Sequence, residues 1–404
     1  MEKANEVHKL EIQTLDRLAA FPNRPACIEP FDRLFRDRLR EKELAADDRA
    51  VVGQFCNFVP EELVLAVGAQ PIRIDSGCHY SARQGSKSLQ ADVCCAVRSL
   101  AGLAAAEDWP FSALDLIVAV TSCDGKKKFA ETLSNQHDVF VLDLPQSNLG
   151  ERARQWWLGE IRRLVERLQK LTGKKISRRS LKEAIELTNK RVSLARKLNQ
   201  LRKSERPPIN GADAMLVMQT SFVADIEWWL EKTEKLVEEL EKRQADKVGS
   251  LPLARILLTG SPVLWPDFKL VELLIKSGAD VVADEMCSGT QRLYNPTVVD
   301  EWTKPGLIRA AAERVLLPCT CPCFSKGARL DRLTELVNNY KVDGIIHHSL
   351  RLCQLYGLDS QTVASQFKKR RLPWLEIHSE FGPEDAGRMN NQIEAFIEML
   401  QVDR

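Results

Sequence analysis

Cysteines are the side chains of this sequence best suited to chemistry, with eleven among its 404 residues. Cys56, Cys123 and Cys287 each follow a short apolar run that is a predicted strand. In open parallel sheets, ligands bind outside the carboxyl ends of the strands, so thiols at these positions indicate a binding site more than core filling. A predicted helix start beside each thiol would supply partial positive charge and free N–H groups. These features suit an anionic iron–sulfur cluster held by thiolates.

Other thiols lie far away in the sequence. Cys94 lies two residues after Asp92, and Cys353 follows a predicted strand by a few residues. The run Cys319-Thr320-Cys321-Pro322-Cys323 is dense in thiols, and its proline discourages a helix. The spacing matches neither the C-x2-C-x2-C pattern of compact ferredoxins nor the paired CxxC pattern of zinc ribbons. Ligands from these positions would therefore meet only in the folded protein.

Each cysteine also has an alternative interpretation, because free cysteine is among the most buried residue types. A core position or a surface thiol is the preferred interpretation for Cys27, Cys78 and Cys95. Cys323 is expected to flank a ligand. Zinc bound by the thiols of residues 319–323 is a further alternative, since Zn²⁺ also favours thiolates.

Charge and apolar patterning restrict the classes of function. Lysine and arginine number 58 against 56 acidic residues, a net charge of +2, so the charge gives no reason to propose nucleic acid as a partner. No run of about 18 apolar residues occurs, which argues against a membrane-spanning helix. Residues 1–15 lack the apolar core of a signal peptide. We therefore expect a cytoplasmic protein whose thiols stay reduced and act as ligands or nucleophiles rather than as disulfides.

Short apolar runs alternate with amphipathic runs in two parts of the chain, which predicts parallel sheets. The predicted strands are 51–55, 71–75, 116–120, 139–142, 255–258, 281–283, 342–346 and 375–377. The predicted helices begin near Pro60 and Lys126 or cover 87–103, 268–276 and 390–400. Cys353 is expected within a helix. His347 and His348, near a strand end, could bind metal or transfer protons, but we expect them to be structural.

Between the two α/β parts, residues 150–247 have a different character. Residues 152–171 and 180–201 are rich in Arg, Lys and Glu, with Leu, Ile and Val every three or four positions, which predicts long amphipathic helices. The chain also exceeds the size of most single domains. We expect an N-terminal helical segment (1–45), a first α/β domain (46–150), a helical insert or connection (151–250) and a second α/β domain (251–404).

Several motifs carry a resemblance to a known family. They are Phe55-Cys56-Asn57-Phe58-Val59-Pro60-Glu61-Glu62, Asp92-Val93-Cys94 with Arg98, Thr121-Ser122-Cys123-Asp124-Gly125-Lys126-Lys127-Lys128, Asp343-Gly344-Ile345-Ile346 ahead of Cys353, and the tail from Leu372-Pro373-Trp374-Leu375 to Glu394-Ala395-Phe396-Ile397-Glu398. These motifs resemble those of the 2-hydroxyacyl-CoA dehydratase and benzoyl-CoA reductase subunit family. The similarity covers roughly residues 45 to 402, and its most specific part is the Ser-Cys-Asp-Gly-Lys-Lys-Lys string.

The resemblance implies an α/β fold and a cofactor. The fold would have two Rossmann-like or flavodoxin-like parallel-sheet domains and a helical insert, with the cluster in the cleft between the domains. In the dehydratases that this sequence resembles, each subunit holds one [4Fe-4S] cluster through three cysteines. One iron of that cluster has no cysteine ligand. The matching positions here are Cys94, Cys123 and Cys353.

A fuller set of thiols implies a second possibility within the family. The additional cysteines are Cys56, Cys287, Cys319 and Cys321. With these cysteines, the sequence looks like the single-subunit branch of the family, the double-cubane cluster proteins. In that branch a sulfide bridges two [4Fe-4S] units to form an [8Fe-9S] cofactor, and three cysteines hold each unit. The resemblance then implies a homodimer that receives low-potential electrons from a separate ATP-hydrolysing iron–sulfur activator and reduces a small substrate.

Two alternatives to the reductase interpretation remain. The chain could be a subunit of a 2-hydroxyacyl-CoA dehydratase with a [4Fe-4S] cluster, an unlike partner subunit and a CoA site, or a non-catalytic metal carrier. The sequence also departs from the family at three places. Cys95 stands where proline is usual, Gln392 stands where many members have arginine, and Cys321-Pro322-Cys323 holds an extra residue. The last departure leaves open which of these thiols, or Cys319, binds iron, and no catalytic residue is identified.

Overall fold

The computed structural model describes residues 2–37, 48–90, 92–106, 109–249, 251–324 and 328–402. The part of the expected N-terminal segment from residue 38 to 45, together with residue 1, lies outside the described residues. The strands are β1 (Val51–Gln54), β2 (Gln70–Arg73), β3 (Leu116–Val120), β4 (Val139–Leu142), β5 (Ala254–Gly260), β6 (Ala279–Glu285), β7 (Gly344–Leu350) and β8 (Trp374–Ser379).

Helices surround these strands. They are α1 (Glu2–Ala19), α2 (Glu29–Arg36), α3 (Glu61–Ala66), α4 (His79–Gly85), α5 (Cys95–Ala106), α6 (Asp124–Leu133), α7 (Glu151–Thr172), α8 (Arg178–Leu201), α9 (Gly211–Thr220), α10 (Ile226–Ala245), α11 (Lys269–Lys276), α12 (Lys304–Leu316), α13 (Ala328–Tyr340), α14 (Gln354–Lys369) and α15 (Ala386–Val402). Short 3-10 helices lie at Ala26–Ile28, Phe111–Ala113 and Thr290–Leu293. The helices of the described ranges include none that is long and apolar enough to cross a membrane.

Two four-stranded sheets form the α/β parts, and every strand pair in them is parallel. The orders are β2-β1-β3-β4 and β6-β5-β7-β8, so the two sheets share one topology. Every residue of the central strands is buried, as in the apolar β3 and in β5, because helices cover both faces of such a sheet. The predicted α/β class with two parallel-sheet domains is confirmed.

The helix predicted for 87–103 begins later than its apolar spacing suggested, at Cys95. Helices α4 and α5 cross so closely that a Cβ at Gly85 would lie 1.9 Å from the carbonyl oxygen of Arg98. The chain must therefore turn between the two helices, and residues 86–90 and 92–94 lie in turns and bends instead of a helix.

Strand β7 is longer than predicted. The run 342–346 marked its start, but pairing with β8 continues to Leu350, so both His347 and His348 lie within the strand. Cys353 consequently lies at the N-cap of α14 and not inside the helix.

Helices of the predicted insert hold the two sheets together. Helix α7 packs Trp157 and Ile161 into the core of the first sheet. Helices α9 and α10, with Trp229, pack into the core of the second sheet, together with α1 and α2. Helix α12 follows a strand of the second sheet but contributes Leu307 and Leu316 to the first core. This interlocking fixes the junction between the sheets, where the candidate site lies.

Candidate metal centre

Four of the predicted site cysteines lie just beyond the carboxyl ends of strands. Cys56 and Cys287 each come two residues after a strand, β1 and β6 respectively. Cys123 and Cys353 occupy equivalent positions in the two sheets, since each follows the third strand of its sheet and is the N-cap of the next helix. The parallel topology thus brings thiols from both sheets to the edges at which such folds bind ligands.

Cys94, Cys123 and Cys353 form what we call the first thiol group. The thiols of Cys94 and Cys353 hydrogen-bond to each other. Burial raises the pKa of Cys123; Lys126 lowers it, and the nearby thiols of Cys353 and Cys321 raise it. The backbone N–H of Lys126 donates to the Sγ of Cys123 over 3.5 Å. The fold therefore brings these three cysteines, distant in sequence, into one neighbourhood.

The remaining predicted ligands form a second thiol group: Cys56, Cys287, Cys319 and Cys321. Burial raises the pKa of Cys287 to about 11; Arg73 lowers it and Cys56 raises it, so these two thiols are neighbours across the junction of the sheets. Burial also raises the pKa of Cys319, and the charges of Cys321 and Cys287 raise it further. The backbone N–H of Cys321 donates to the Sγ of Cys319 over 3.4 Å.

Cys323 also belongs to the second thiol group, although sequence reasoning placed it beside the ligands. A hydrogen bond from its thiol lowers the pKa of Cys321, and the same bond raises the pKa of Cys323 itself. Because Cys321 also acts on Cys123, the two groups are continuous. The two groups together hold eight free thiols around one junction, and the thiol of Cys95 interacts with Cys94 at its edge.

Two buried cations contact the second thiol group. The Nζ of Lys126 lies 3.2 Å from the Sγ of Cys56, and the Nη2 of Arg73 lies 3.5 Å from the Sγ of Cys287. In the sequence, Lys126 stands out only as part of a motif, and Arg73 has no distinguishing pattern. The one sequence signal that distinguishes Lys126 from Lys127 and Lys128 is its position in the helix, three residues after Cys123.

Cys56 has an unusual backbone conformation for a residue with a side chain. Its φ is +68°, in the left-handed region. Its N–H donates to Asp75 over 3.3 Å, and its Sγ lies 3.0 Å from the Oγ of Ser122. Strained backbone of this kind is concentrated at functional sites, where the surrounding structure maintains it.

Tyr356 brings a buried hydroxyl to the same place. The residue is 5% exposed, and its Oη is buried without a hydrogen-bond partner among the described residues. Burial raises the pKa of Tyr356 well above its usual value, and the charges of Cys321 and Cys287 raise it further. The guanidinium of Arg329, which is paired with Glu285 over 3.0 Å, lies 5.1 Å from the ring centre. A neutral phenol with an unused hydrogen-bonding capacity therefore lies beside the thiols.

The other cysteines lie as their alternative interpretation suggests. Cys78 and Cys95 are buried at 0% and 1% exposure, Cys95 beside Cys94. Cys27 lies on a 3-10 helix, and its N–H donates to Glu239 over 2.7 Å.

The two histidines of β7 have structural contacts. His348 places its ring nitrogens 2.9 Å from the carbonyl oxygen of Ser261 and 2.7 Å from the Oγ of Ser379. His347 stacks on Trp374 with 5.4 Å between ring centres. Both rings are buried within β7 among these partners.

Comparison with known families identifies the class of protein. The family model of the 2-hydroxyglutaryl-CoA dehydratase D-component matches residues 56–400, most of the chain. The chain belongs to this family. The match begins at Cys56 and includes every cysteine of the two thiol groups, and it confirms the resemblance seen in the sequence motifs.

Individual relatives of the family are similar along most of their length. The chain is 27% identical to the putative dehydratase subunit YjiM of Escherichia coli K12, over 87% of this chain and 91% of the relative. It is 22% identical to the (R)-phenyllactyl-CoA dehydratase beta subunit of Clostridium sporogenes, over 89% and 94%. It is 24% identical to a subunit of the benzoyl-CoA reductase of Thauera aromatica, over 84% and 87%.

The donor set of this family member fits an iron–sulfur cluster in its chemistry. The thiols are soft ligands, buried cations are available to balance thiolates, and Tyr356 has a free hydrogen-bonding atom. In the ranges that the structure describes, no three His, Cys, Asp or Glu side chains are arranged to bind one metal ion. A cluster spreads its thiolates over several irons, so its ligands need not converge on one point.

Proposed function

We propose that this member of the dehydratase D-component family is an iron–sulfur reductase component of the double-cubane type. The proposed cluster ligands are Cys56, Cys94, Cys123, Cys287, Cys353 and one or both of Cys319 and Cys321. When bound, an [8Fe-9S] cluster of this kind would supply low-potential electrons for the reduction of a small substrate.

The number of interacting thiols is the observation that carries this proposal. Eight free thiols lie in two continuous groups around the junction of the sheets. One [4Fe-4S] unit held as in the dehydratases would use three of them and leave the second group without a role. Two units of three ligands each would use six of the eight thiols and would draw ligands from both groups.

Residues around the thiols have roles of their own in this proposal. Lys126 and Arg73 offset the negative charge that the thiolates bring into a buried site. Tyr356 keeps a proton on its Oη, because burial and the neighbouring thiols raise its pKa, and so offers a hydrogen bond to a bound species. The interlocked cores hold the two sheets together around the half-buried thiols.

The proposal includes partners and a compartment. A separate ATP-hydrolysing iron–sulfur activator would supply the electrons, since ATP hydrolysis provides the free energy needed to reduce a cluster of very low potential. The protein itself would act as a homodimer. Eleven free cysteines suit a reducing cytoplasm, where thiols stay available as ligands.

A second candidate function is a subunit of a 2-hydroxyacyl-CoA dehydratase with one [4Fe-4S] cluster. Two observations favour it: the family model is that of a dehydratase component, and the relative from Clostridium sporogenes is a beta subunit of a dehydratase. On this alternative, the first thiol group would hold the cluster, and the protein would need an unlike partner subunit.

Anaerobic purification followed by iron and acid-labile sulfide analysis separates the two functions. The double-cubane proposal predicts about eight irons per chain, and the dehydratase alternative predicts about four. A chain that elutes as a homodimer and accepts electrons from an ATP-dependent activator would support the first. A chain that carries bound metal but accepts no electrons would be a carrier and would contradict both.

A further inference from the structure

One lysine of the Lys126-Lys127-Lys128 run differs from its neighbours. The side chain of Lys126 is 12% exposed, whereas Lys127 and Lys128 are both exposed. The Nζ of Lys126 lies 3.2 Å from the Sγ of Cys56 and 2.8 Å from the Oδ1 of Asp75. Burial of an ammonium group is unfavourable without compensating partners, so these contacts define its position.

Arg73, at the end of β2, is a second buried cation that contacts both Asp75 and a cysteine thiol. Its side chain is 3% exposed, and its Nε donates to the Oδ2 of Asp75 over 2.7 Å. Its Nη2 lies 3.5 Å from the Sγ of Cys287, and its Nη1 donates to the carbonyl oxygen of the same cysteine. A second cation thus joins the same carboxylate to a thiol of the other sheet.

Asp75 holds both cations in place. Its side chain is 2% exposed. Its Oδ1 accepts a hydrogen bond from the Nζ of Lys126 over 2.8 Å, and its Oδ2 accepts one from the Nε of Arg73 over 2.7 Å. One carboxylate therefore faces two cations, which leaves one net positive charge in a buried site. Thiolates at Cys56 and Cys287 are the nearest groups able to balance it.

We propose that Lys126, Asp75 and Arg73 form a charge clamp that sets the reduction potential of the iron unit bound by Cys56 and Cys287. This inference rests on the proposed function. Hydrogen bonds to ligand sulfurs and net positive charge both favour the reduced, more negative state of a cluster, so the clamp raises its potential. The three residues act through the thiolates and are positioning residues, not catalytic ones.

Potentiometric titration of the anaerobic, iron-loaded protein, monitored by electron paramagnetic resonance, tests the clamp. Lys126→Gln should lower the midpoint potential, because it removes a positive charge and weakens the contact to Cys56. Asp75→Asn should raise it, because it removes the negative charge of the clamp. Lys127→Gln, a change of the neighbouring exposed lysine, should leave the midpoint at the wild-type value.

Opposite shifts for Lys126→Gln and Asp75→Asn would support the clamp, since general structural damage has no reason to move the potential in two directions. Fully loaded variants with the wild-type midpoint would overturn it. If Lys126→Gln loses its iron, Asp75→Asn decides alone, and a midpoint that does not rise contradicts the clamp. A wild-type protein without iron would instead refute the proposed function, so the two failures are distinguishable.

Discussion

The buried carboxylate of Glu62 provides a quantitative test of how the site is held. Glu62 belongs to the motif that follows Cys56, is fully buried, and accepts hydrogen bonds from the Nε and Nη2 of Arg314 over 2.6 and 3.0 Å. Thr297 donates a further bond over 2.7 Å. Burial raises the pKa of Glu62, but Arg314 more than offsets this and keeps the pKa below its usual value. The pair ties α3 of the first sheet to α12, which leads to Cys319.

Replacing Glu62 by glutamine keeps the shape of the side chain and removes its charge. Arg314, whose side chain is 6% exposed, would then be a buried cation without its carboxylate. Breaking one side of a buried ion pair costs about 3–5 kcal/mol. Because whole domains are stable by only about 5–15 kcal/mol, Glu62→Gln should unfold at a clearly lower urea concentration than the wild type.

Urea unfolding of the metal-free protein, followed by tryptophan fluorescence, measures this loss. Glu183→Gln is a matched control, because Glu183 pairs with Arg179 on the surface at 56% and 89% side-chain exposure, and its midpoint should not change. Adding Arg314→Met to Glu62→Gln removes the unpaired cation and should recover part of the loss. The reasoning would be refuted by a Glu62→Gln variant that unfolds at the wild-type urea concentration.

Three further predictions concern the ligands, the pH dependence and the packing. Cys123→Ser should lose about half of the bound iron or more, whereas Cys27→Ser should keep all of it, as measured by iron analysis under anaerobic conditions. Burial lowers the pKa of His348 from 6.5 to about 4 in the folded state, so the unfolded chain binds a proton first as the pH falls. His348 alone should therefore lower the free energy of unfolding by about 3 kcal/mol between pH 6.5 and 4, and His348→Asn should remove this part of the pH dependence. Gly102→Ala should destabilise the protein by about 1–3 kcal/mol, since its Cβ would lie 1.9 Å from a backbone oxygen of α4. At Gly159, a Cβ would meet nothing outside its own helix within 4 Å, so Gly159→Ala should stabilise the protein by up to about 1 kcal/mol. Urea unfolding measures both changes.

Each of these predictions has a result that would contradict it. Equal iron in the two cysteine variants would remove Cys123 from the ligand set. A pH profile that is identical with and without His348 would show that its buried neutral state does not contribute to the acid sensitivity. A Gly102→Ala variant as stable as the Gly159→Ala variant would mean that α4 and α5 can separate without loss, and that the turn carrying Cys94 is not fixed by their contact.

Strand positions could be predicted from the sequence where the local pattern of apolar and polar residues determines them. Residues 116–120 and 139–142 are apolar runs bounded by polar residues, and both predictions agree with β3 and β4. The helix predicted for 87–103 was placed too early because its apolar spacing carries no information about the close crossing at Gly85. The end of β7 was missed for a similar reason, since pairing with β8 extends the strand through two histidines.

The thiols that follow strands could be predicted because parallel topology determines where those strands end. The surroundings of the thiols could not. Arg73 lies in the middle of the predicted strand 71–75 and has no distinguishing pattern in the sequence, and Tyr356 looks like a core aromatic in α14. Their contacts depend on the meeting of two sheets, which no local pattern encodes. The hydrogen bond of Cys323 to Cys321 depends on the local backbone of residues 319–323, which the spacing of the cysteines does not determine.

The most direct test is an anomalous difference map, measured at the iron edge, from crystals grown without oxygen. We expect iron peaks bonded to the thiolates of both groups, including Cys123 from the first sheet and Cys287 from the second. Peaks beside the first group alone would leave only the single-cluster alternative. A map without iron beside any of the eight thiols would show that cysteines from the two sheets do not converge on a cluster.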